Sequence, residues 1–137
     1  MSRIVGVAYP IPRRYVSRFF GGGRTVFVKP ASTYRHLKSG MRFLFYRSGE
    51  DPALVGEARI KRIFVSENPL QFLDTYGDRL FLDRDELLAY MQSRGSGDGQ
   101  ADGARLWVAI ELENIQPRER TEGEALSVPA GGQYIRE

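Results

Sequence analysis

Apolar and polar side chains alternate along several short stretches of the chain, and this pattern predicts β-strands joined by turns. In Leu106–Leu112 every second side chain is apolar, which matches the side-chain period of two in a strand. The Pro-Ile-Pro segment at 10–12 is expected to end the first strand, and Ser39-Gly40 is expected to form a turn. The predicted strands are Arg3–Ala8, Arg24–Lys29, Met41–Tyr46, Leu54–Val65 and Leu106–Leu112.

The longest predicted strand, Leu54–Val65, changes phase part-way along its length. Ala58 and Ile60 fall on one face, whereas Ile63 and Val65 fall on the other if the strand stays regular. A regular strand cannot bury both pairs on one face, because its side chains alternate strictly. The sequence therefore predicts a β-bulge near Lys61-Arg62, where one extra residue restores the phase.

Three short helices are predicted between the strands, at Arg13–Phe20, Pro69–Tyr76 and Arg84–Ser93. The first follows a proline and is ended by three consecutive glycines at 21–23. Asp83 and Glu86 have the spacing of a capping box at the start of the third helix. The side chains expected to be buried are Val16, Phe19, Phe20, Leu70, Leu73, Leu87, Leu88 and Met91.

Many short strands with three small helices between them predict an α+β fold, a small mixed or antiparallel β-barrel. Strands and helices do not alternate strictly, so a doubly wound parallel sheet is not expected. The 137 residues suit a single domain spanning 1–137. Residues 95–103 are small or polar and predict a flexible surface loop, too short to be a domain linker.

The composition excludes several kinds of chemistry. There is no cysteine, so no disulfide, thiol nucleophile or cysteine-based zinc site is possible within the chain. His36 is the only histidine, and its polar surroundings predict a surface position. We therefore expect no metal and no cofactor. The apolar run near the N-terminus is too short for a signal peptide or a membrane span, which favours a cytoplasmic protein without membrane contact.

The charge is unevenly distributed along the chain. The formal net charge is +3, but the first 38 residues contain eight cations and no acid. This asymmetry favours an anionic partner such as a phosphate backbone, although the cations could instead pair with carboxylates later in the chain. The residues expected to contact phosphate are Arg13, Arg14, Arg18, Arg24 and Arg35.

Arginine strongly outnumbers lysine among the cations. Only three of the 20 basic residues are lysines, namely Lys29, Lys38 and Lys61. The planar guanidinium binds phosphate in a fork and stacks on bases. A GC-rich genome or a preference for heat-stable ion pairs would also explain the bias.

Three segments occur in an order that resembles the ASCH-type domains of the PUA-like superfamily: Gly23–Lys29, Leu37–Tyr46 and Val55–Ile60. ASCH-type domains have a Gly-Lys/Arg-Thr strand, a Lys-x-Gly-Asp turn and a long Gly-Glu-Ala strand. The later helix and the Leu106–Leu112 strand match as well, so the resemblance covers nearly the whole chain. With its Gly-Gly-Gln-Tyr ending at 131–134, the chain resembles an uncharacterised archaeal family within this superfamily.

The resemblance implies a pseudo-barrel with a central cleft, and relatives that bind RNA or hold one modified base there. Some ASCH-type relatives are amidohydrolases that act on an acetylated cytidine with a lysine, a threonine and a glutamate. Here that lysine is replaced by Arg24, a poor general base, and that threonine by Phe27. Both departures count against inherited hydrolysis. Lys29 lies on the same predicted strand face as Phe27 and would become a candidate base if it were buried near Glu57.

Two main hypotheses follow, with a protein-interaction module as a third. The first is a module whose cleft binds RNA or a modified nucleotide. The second is a small amidohydrolase-like enzyme that acts on an acylated nucleoside, with Lys29 as base and Glu57 as acid or orienting group. The residues expected to contact the ligand are Lys29, Tyr46, Glu57, Trp107 and Gln133.

Four of these side chains have an ordinary structural alternative: Tyr46 could be covered in the same way as Trp107, and Gln133 could belong to a segment that only closes the fold. Trp107 lies on the less apolar face of its strand, beside Arg105 and Glu111. It could stack on a base, or the C-terminal segment could cover it. Glu57 could accept hydrogen bonds from a base, or it could form a cross-strand ion pair with Arg59 or a neighbour.

Overall fold

The structure is a computed structural model that describes residues 3–31, 33–48, 52–95, 106–118, 128 and 131–136. Over these residues the chain forms six β-strands and three α-helices. The strands are β1 (Ile4–Pro12), β2 (Val26–Pro30), β3 (Arg42–Ser48), β4 (Ala53–Ser66), β5 (Trp107–Pro117) and β6 (Gln133–Arg136). The helices are α1 (Arg13–Phe19), α2 (Leu70–Tyr76) and α3 (Arg84–Gly95), with a 3-10 turn at Gly77–Arg79. Most of the predicted surface loop, residues 96–103, lies outside the described residues.

The six strands form one mixed sheet in the order β2-β5-β4-β3-β1-β6. β1 and β3 run parallel, and the other neighbours run antiparallel. The sheet curls on itself. This is shown by the rings of Tyr9 on β1 and Phe27 on the edge strand β2, which lie 5.3 Å apart. Phe43 on β3 contacts both rings inside the curl. The predicted α+β fold built on a small barrel is confirmed, as a curled half-barrel.

The predicted bulge in the long strand is present. The register of β4 against β5 shifts between Ile60 and Arg62, so that Ile60 faces Leu112 and Arg62 faces Glu111. Lys61 is the extra residue. Ile63 then faces Ile110 and lies on the same side as Ile60, as the phase argument required.

The first strand extends further than predicted. β1 continues through both prolines to Pro12, and Ile11 between them is fully buried. β6 pairs with β1 only as far as Ala8, so at Pro10 and Pro12 one side of β1 has no partner strand among the described residues. Prolines at alternate positions leave their missing N–H groups on the same side, and an unpaired side tolerates them.

Helices cover part of the outer face of the sheet, which corrects two predictions about burial. Trp107 and Glu111 lie on the less apolar face of β5, which is the outer side of the sheet, but both are buried. In α2 the buried side chains are Phe72 and Tyr76, whereas Leu70 and Leu73 are only partly buried. The ring of Phe72 packs against Phe64 on β4, so α2 lies on the outer face of the sheet.

The start of α3 has the predicted capping box. The Glu86 backbone N–H donates to Asp83 Oδ1 at 2.9 Å, and the Asp83 N–H donates to Glu86 Oε1 at 3.0 Å. Leu87 is fully buried, whereas Leu88 and Met91 are only partly buried. In the described part of the chain, no helix combines the length and apolar character needed to cross a membrane.

Candidate functional site

A cleft of about 900 Å³ opens along the seam of the half-barrel, between the β1–α1 segment and the β2–α3 segment. This is where β1 and the edge strand β2 approach each other without being neighbours in the sheet. Its volume lies within the range of ordinary small-molecule sites. The side chains of interest in its walls are Tyr9, Arg14, Tyr15, Lys29, Glu86 and Tyr90.

Lys29 provides a buried positive charge in the wall of the cleft. It follows Phe27 by two positions on β2, so both side chains point to the inner side of the sheet. The residue is 5% exposed, and its Nζ donates to the Gly131 carbonyl at 2.8 Å. Nζ also lies 4.6 Å from the centroid of the Tyr9 ring, a cation–π distance.

The Tyr9 ring beside Lys29 is held in place at both ends. Its hydroxyl donates to the Thr33 carbonyl at 2.7 Å, and burial raises the pKa of the phenol well above its usual value. Gly132 lies directly against the ring, and a Cβ added there would overlap it. Tyr9 is therefore a fixed, neutral platform beneath the ammonium group.

Helix α1 forms a cationic and aromatic wall. The guanidinium carbons of Arg14 and Arg18 each lie 4.8 Å from the centroid of the Tyr15 ring. The two arginines are four residues apart and therefore share one helix face. Tyr15 in turn meets Phe81 edge-on at 5.6 Å. The Arg14 side chain is exposed at the rim of this wall.

Arg18 links the α1 wall to α3 through Glu86. Its guanidinium makes two hydrogen bonds to the Glu86 carboxylate, at 2.5 and 2.8 Å, and a third to the Phe81 carbonyl at 2.8 Å. The hydrogen bond from Arg18 lowers the pKa of Glu86 from its ordinary value of 4.5 to about 2. Arg18 therefore joins two walls of the cleft, and for this residue the alternative holds that the N-terminal cations pair with carboxylates later in the chain.

Tyr90 on α3 lines the cleft, whereas Trp107 on β5 does not. Trp107 is 5% exposed and packs edge-on against Tyr90 at a centroid distance of 5.3 Å. The Trp107 ring is thus covered by a helix, which corrects the expectation that it stacks on a base; most of the C-terminal segment considered as its cover lies outside the described residues. Its packing supports the orientation of Tyr90 from behind.

Glu57 and Lys29 do not share a pocket, which corrects the pairing on which the hydrolase hypothesis depended. Glu57 precedes the inward-facing Ala58 on β4, so it points to the outer side of the sheet, whereas Lys29 points inward. The Glu57 carboxylate is 3.3 Å from Arg42 Nε and 3.4 Å from Arg118 Nη1. It forms the cross-strand ion pair considered as an alternative, with different arginines from the one expected.

The other predicted residues lie at varied places. Tyr46 is half-buried on β3 and Gln133 is exposed on β6, and neither lines the cleft. Arg24 donates to the Leu80 carbonyl at 2.8 Å. Arg13 is exposed at the start of α1. Arg35 lies over the Tyr34 ring in a separate cavity of about 610 Å³ that also contains His36.

The sequence did not predict that Tyr9, Tyr15 and Tyr90 line the cleft, because these residues belong to three different elements. The seam that brings them together exists only after the sheet has curled. Within the described residues, no group of histidines and carboxylates is placed to hold a metal ion.

The comparisons with known proteins identify a family. A family model described as "Domain of unknown function (DUF365)" matches residues 4–137. The chain belongs to this family. An archaeal relative, "Uncharacterized protein MJECS03" from Methanocaldococcus jannaschii, is 30% identical over 98 residues, which cover 71% of this chain and 91% of the relative. The expected resemblance to an uncharacterised archaeal family is confirmed.

The fold of this DUF365 member is that of ASCH domains. The crystal structure of ASCH from Zymomonas mobilis has a TM-score of 0.76 at 14% identity and covers 97% of this chain and 89% of its own. A point mutant of the same protein reaches 0.78, also at 14% identity, over 100% and 92%. The crystal structure of hypothetical protein PH0355 has a TM-score of 0.57 at 17% identity, over 82% and 99%. The resemblance inferred from the three motifs is therefore confirmed at the level of fold.

Proposed function

We propose that the seam cleft binds one nucleotide of an RNA chain, with its base between aromatic side chains and its phosphate beside cations. The proposal depends mainly on the burial of Lys29, whose side chain lies almost completely buried in the wall of an aromatic cleft. Burial of an ammonium group is costly and is rarely found without a role or strong compensation. The ASCH fold agrees with this proposal but adds no evidence about the ligand.

The charge balance of the cleft favours an anion. Among the described residues, three cations line it, Arg14, Arg18 and Lys29, against one carboxylate, Glu86. Arg18 is paired with Glu86, whereas Arg14 presents its guanidinium at the rim and Lys29 its ammonium group in the wall. A phosphate would meet these two groups, and Arg13 at the start of α1 would extend the positive rim.

The aromatic walls favour a planar partner. Tyr15 on α1 and Tyr90 on α3 both line the cleft, from two different helices. A base stacked on an aromatic side chain contributes about 1–3 kcal/mol of binding free energy. Each ring is supported from behind, Tyr15 by Phe81 and Tyr90 by Trp107, so little conformational entropy is lost on binding.

The proposed ligand contacts differ from those expected at first. Lys29 stays in the proposal, joined by Tyr15, Tyr90 and Arg14. Glu57, Tyr46, Trp107 and Gln133 leave it because they do not line the cleft. Glu57, the residue expected to pair with Lys29 in hydrolysis of an acylated nucleoside, lies on the other side of the sheet, so binding is the function supported best.

The test is binding of a short, fluorescently labelled single-stranded RNA, measured by fluorescence anisotropy between about 50 and 200 mM KCl. We expect affinity to fall steeply with salt, and Lys29→Met and Tyr15→Ala each to weaken binding about tenfold or more. A mononucleotide titration followed by NMR should perturb the amides of α1, β2 and α3.

Arg136→Ala serves as the matched control, since Arg136 is exposed on β6 and outside the cleft. This control should bind RNA almost as well as the unmodified protein. Binding that is equally strong in Lys29→Met, Tyr15→Ala and Arg136→Ala would rule out the cleft as the site. Circular dichroism of each variant excludes unfolding as the cause of a loss.

A further inference from the structure

The outer face of the sheet carries a cluster of charges that the cleft does not use. Its members are Glu111 on β5, Lys61 and Arg62 on β4, and Arg79 in the 3-10 turn; we call it the Glu111 cluster. Arg79 Nη2 lies 2.7 Å from Glu111 Oε2, Lys61 Nζ lies 3.7 Å from the same oxygen, and Arg62 Nε lies 3.9 Å from Oε1. One carboxylate thus gathers three cations.

The β-bulge in β4 makes this arrangement possible. Adjacent residues of a regular strand point to opposite faces, so Lys61 and Arg62 would normally diverge. At the bulge, Lys61 is the extra residue and Arg62 takes the position opposite Glu111. Both cations therefore reach the same carboxylate.

The third cation is held in a fixed orientation. Arg79 Nε donates to the Thr25 hydroxyl at 3.0 Å, while Nη2 donates to Glu111. The Arg79 guanidinium also lies 5.6 Å from the centroid of the Tyr76 ring. These contacts reduce the conformational freedom that Arg79 would lose on binding an anion.

The cluster has an excess of exposed positive charge. The Glu111 side chain is only 4% exposed, whereas those of Lys61, Arg62 and Arg79 are 51%, 66% and 47% exposed. The count of three cations to one carboxylate leaves a local charge of +2. Lys61 and Arg62 lie beyond hydrogen-bond distance from Glu111, so the ion pairs leave their donors available for an oxyanion.

The same face carries a second, smaller group of this type. Arg42 and Arg118 both contact Glu57, again with more cations than carboxylates. Glu57 and Lys61 are four residues apart on β4, a distance of about 13 Å along a strand. The positive charge therefore extends along the outer face, which suits a ligand with successive negative charges.

We propose that the Glu111 cluster binds phosphate groups of a nucleic-acid backbone at a second site, on the face of the sheet opposite the cleft. The buried carboxylate positions the three cations and is too well covered to meet the ligand itself. Lys61 and Arg62 donate to non-bridging phosphate oxygens, and Arg79 adds charge from the side. This site goes beyond the proposed function, because it involves none of the cleft residues.

The decisive experiment compares two double variants that remove the same charge. Lys61→Gln with Arg62→Gln alters the cluster, while Arg84→Gln with Arg136→Gln alters exposed arginines outside both sites. The probe is the same labelled single-stranded RNA, titrated over a range of KCl concentrations. We expect the cluster variant to make the slope of log affinity against log salt shallower by about 1.4, since two phosphate contacts to a single strand are lost, and to bind about tenfold or more weakly at low salt.

An affinity and a salt slope equal to those of the control pair would overturn the proposal. The amide shifts of α1, β2 and α3 on adding a nucleoside, which carries no phosphate, report on the cleft alone, so they separate this result from the proposed function. If cleft variants bind normally while the cluster variant does not, only the cleft proposal fails. The thermal unfolding midpoint of the cluster variant should stay near that of the control, since both altered side chains are largely exposed.

A free phosphate is the other source of the same chemistry. Inorganic phosphate and pyrophosphate are titrated into the protein and followed by amide NMR shifts near Lys61 and Arg62. Competition between pyrophosphate and RNA at these amides supports the nucleic-acid site. Saturation by phosphate without any effect of RNA there would overturn the backbone as its source.

Discussion

Lys29 and Glu111 are the two buried charged residues of the described chain, and they face opposite sides of the sheet on adjacent strands. The contacts of Lys29 include neutral groups, the Gly131 carbonyl and the Tyr9 ring. The contacts of Glu111 include three cations. The two buried charges therefore differ in their surroundings, since an aromatic ring lies beside Lys29 and a group of cations surrounds Glu111.

The difference teaches where a charge can act. Lys29 brings a positive charge into the wall of the cleft, where the low dielectric strengthens its attraction for an anion. The cations around Glu111 more than cancel its charge, and the excess appears on the surface above it. Burial alone would raise the pKa of Glu111, but the hydrogen bond from Arg79 and the three positive charges outweigh it and hold that pKa below the usual value.

The largest effect is expected for Glu111→Gln. Without the Glu111 carboxylate, the three neighbouring cations repel one another. Breaking a buried ion pair lowers the free energy of unfolding by about 3 kcal/mol or more. Urea unfolding would measure the loss of stability. Glu113→Gln, two residues along the same strand and exposed, should change it by less than about 0.5 kcal/mol. Equal losses of stability in Glu111→Gln and Glu113→Gln would show that the buried carboxylate has no special role in stabilising the fold.

Gly132→Ala tests how firmly Tyr9 is held beneath Lys29. Gly132 has φ 96°, and an added Cβ would overlap the Tyr9 ring, so strain and overpacking together should cost about 2–3 kcal/mol. Gly40→Ala is the control, because Gly40 has φ 94° with open space around it. It should lose only the backbone part, about 1–2 kcal/mol. Thermal or urea unfolding distinguishes them, and similar losses would contradict a tight contact with the ring.

Glu86→Gln tests the bridge between the cleft walls. Glutamine keeps the capping geometry but loses the ion pair to Arg18, and the cost at neutral pH should be about 1–2 kcal/mol after allowing for solvent screening. The folded pKa of about 2 lies below the ordinary 4.5, so the carboxylate stabilises the fold above about pH 4.5. That contribution is lost as the pH falls towards 2.

The difference in stability between the unmodified protein and Glu86→Gln should therefore shrink as the pH is lowered through this range, measured by urea unfolding at several pH values. Asp85→Asn, the exposed neighbour, is the control. A difference that stays constant down to pH 2 would show that the ion pair does not stabilise the fold.

The smallest effect on stability is expected for Lys29→Met. Methionine keeps the length and packing of the side chain, and replacing a buried charge by an apolar group is often neutral, so the change should stay within about 1 kcal/mol. The affinity of Lys29→Met for RNA should fall nevertheless, and the fluorescence anisotropy titration described above would measure this loss. If Lys29→Met lost as much stability as Glu111→Gln, both buried charges would be needed to stabilise the fold, and the contrast between them would be wrong.

Much of the fold could be predicted from local patterns. The bulge at Lys61-Arg62 followed from a phase change, and the capping box from the spacing of Asp83 and Glu86. The end of β1 could not be predicted, because Pro10 and Pro12 are tolerated only where β6 does not pair. The burial of Trp107 depended on where α3 packs.

The candidate site could be predicted only in part. Lys29 was identified, since its strand face follows from alternation with Phe27. Glu57 was wrongly placed beside it, because alternation fixes the relative faces along one strand but not between strands that are distant in the chain. Tyr15 and Tyr90 gave no signal, because each looks like an ordinary helix residue until the two walls of the cleft meet.

The sequence by itself determined the elements, the bulge, the capping box and the family, because each depends on neighbours a few residues apart or on motif order. Tertiary structure decided which side chains share a space. Curling of the sheet brought β1 and β2 together at a seam, and placed Lys29 inside it and Glu111 outside. A strand pattern specifies two faces, but only the curvature of the whole sheet and the helices packed on it decide which face becomes a cleft.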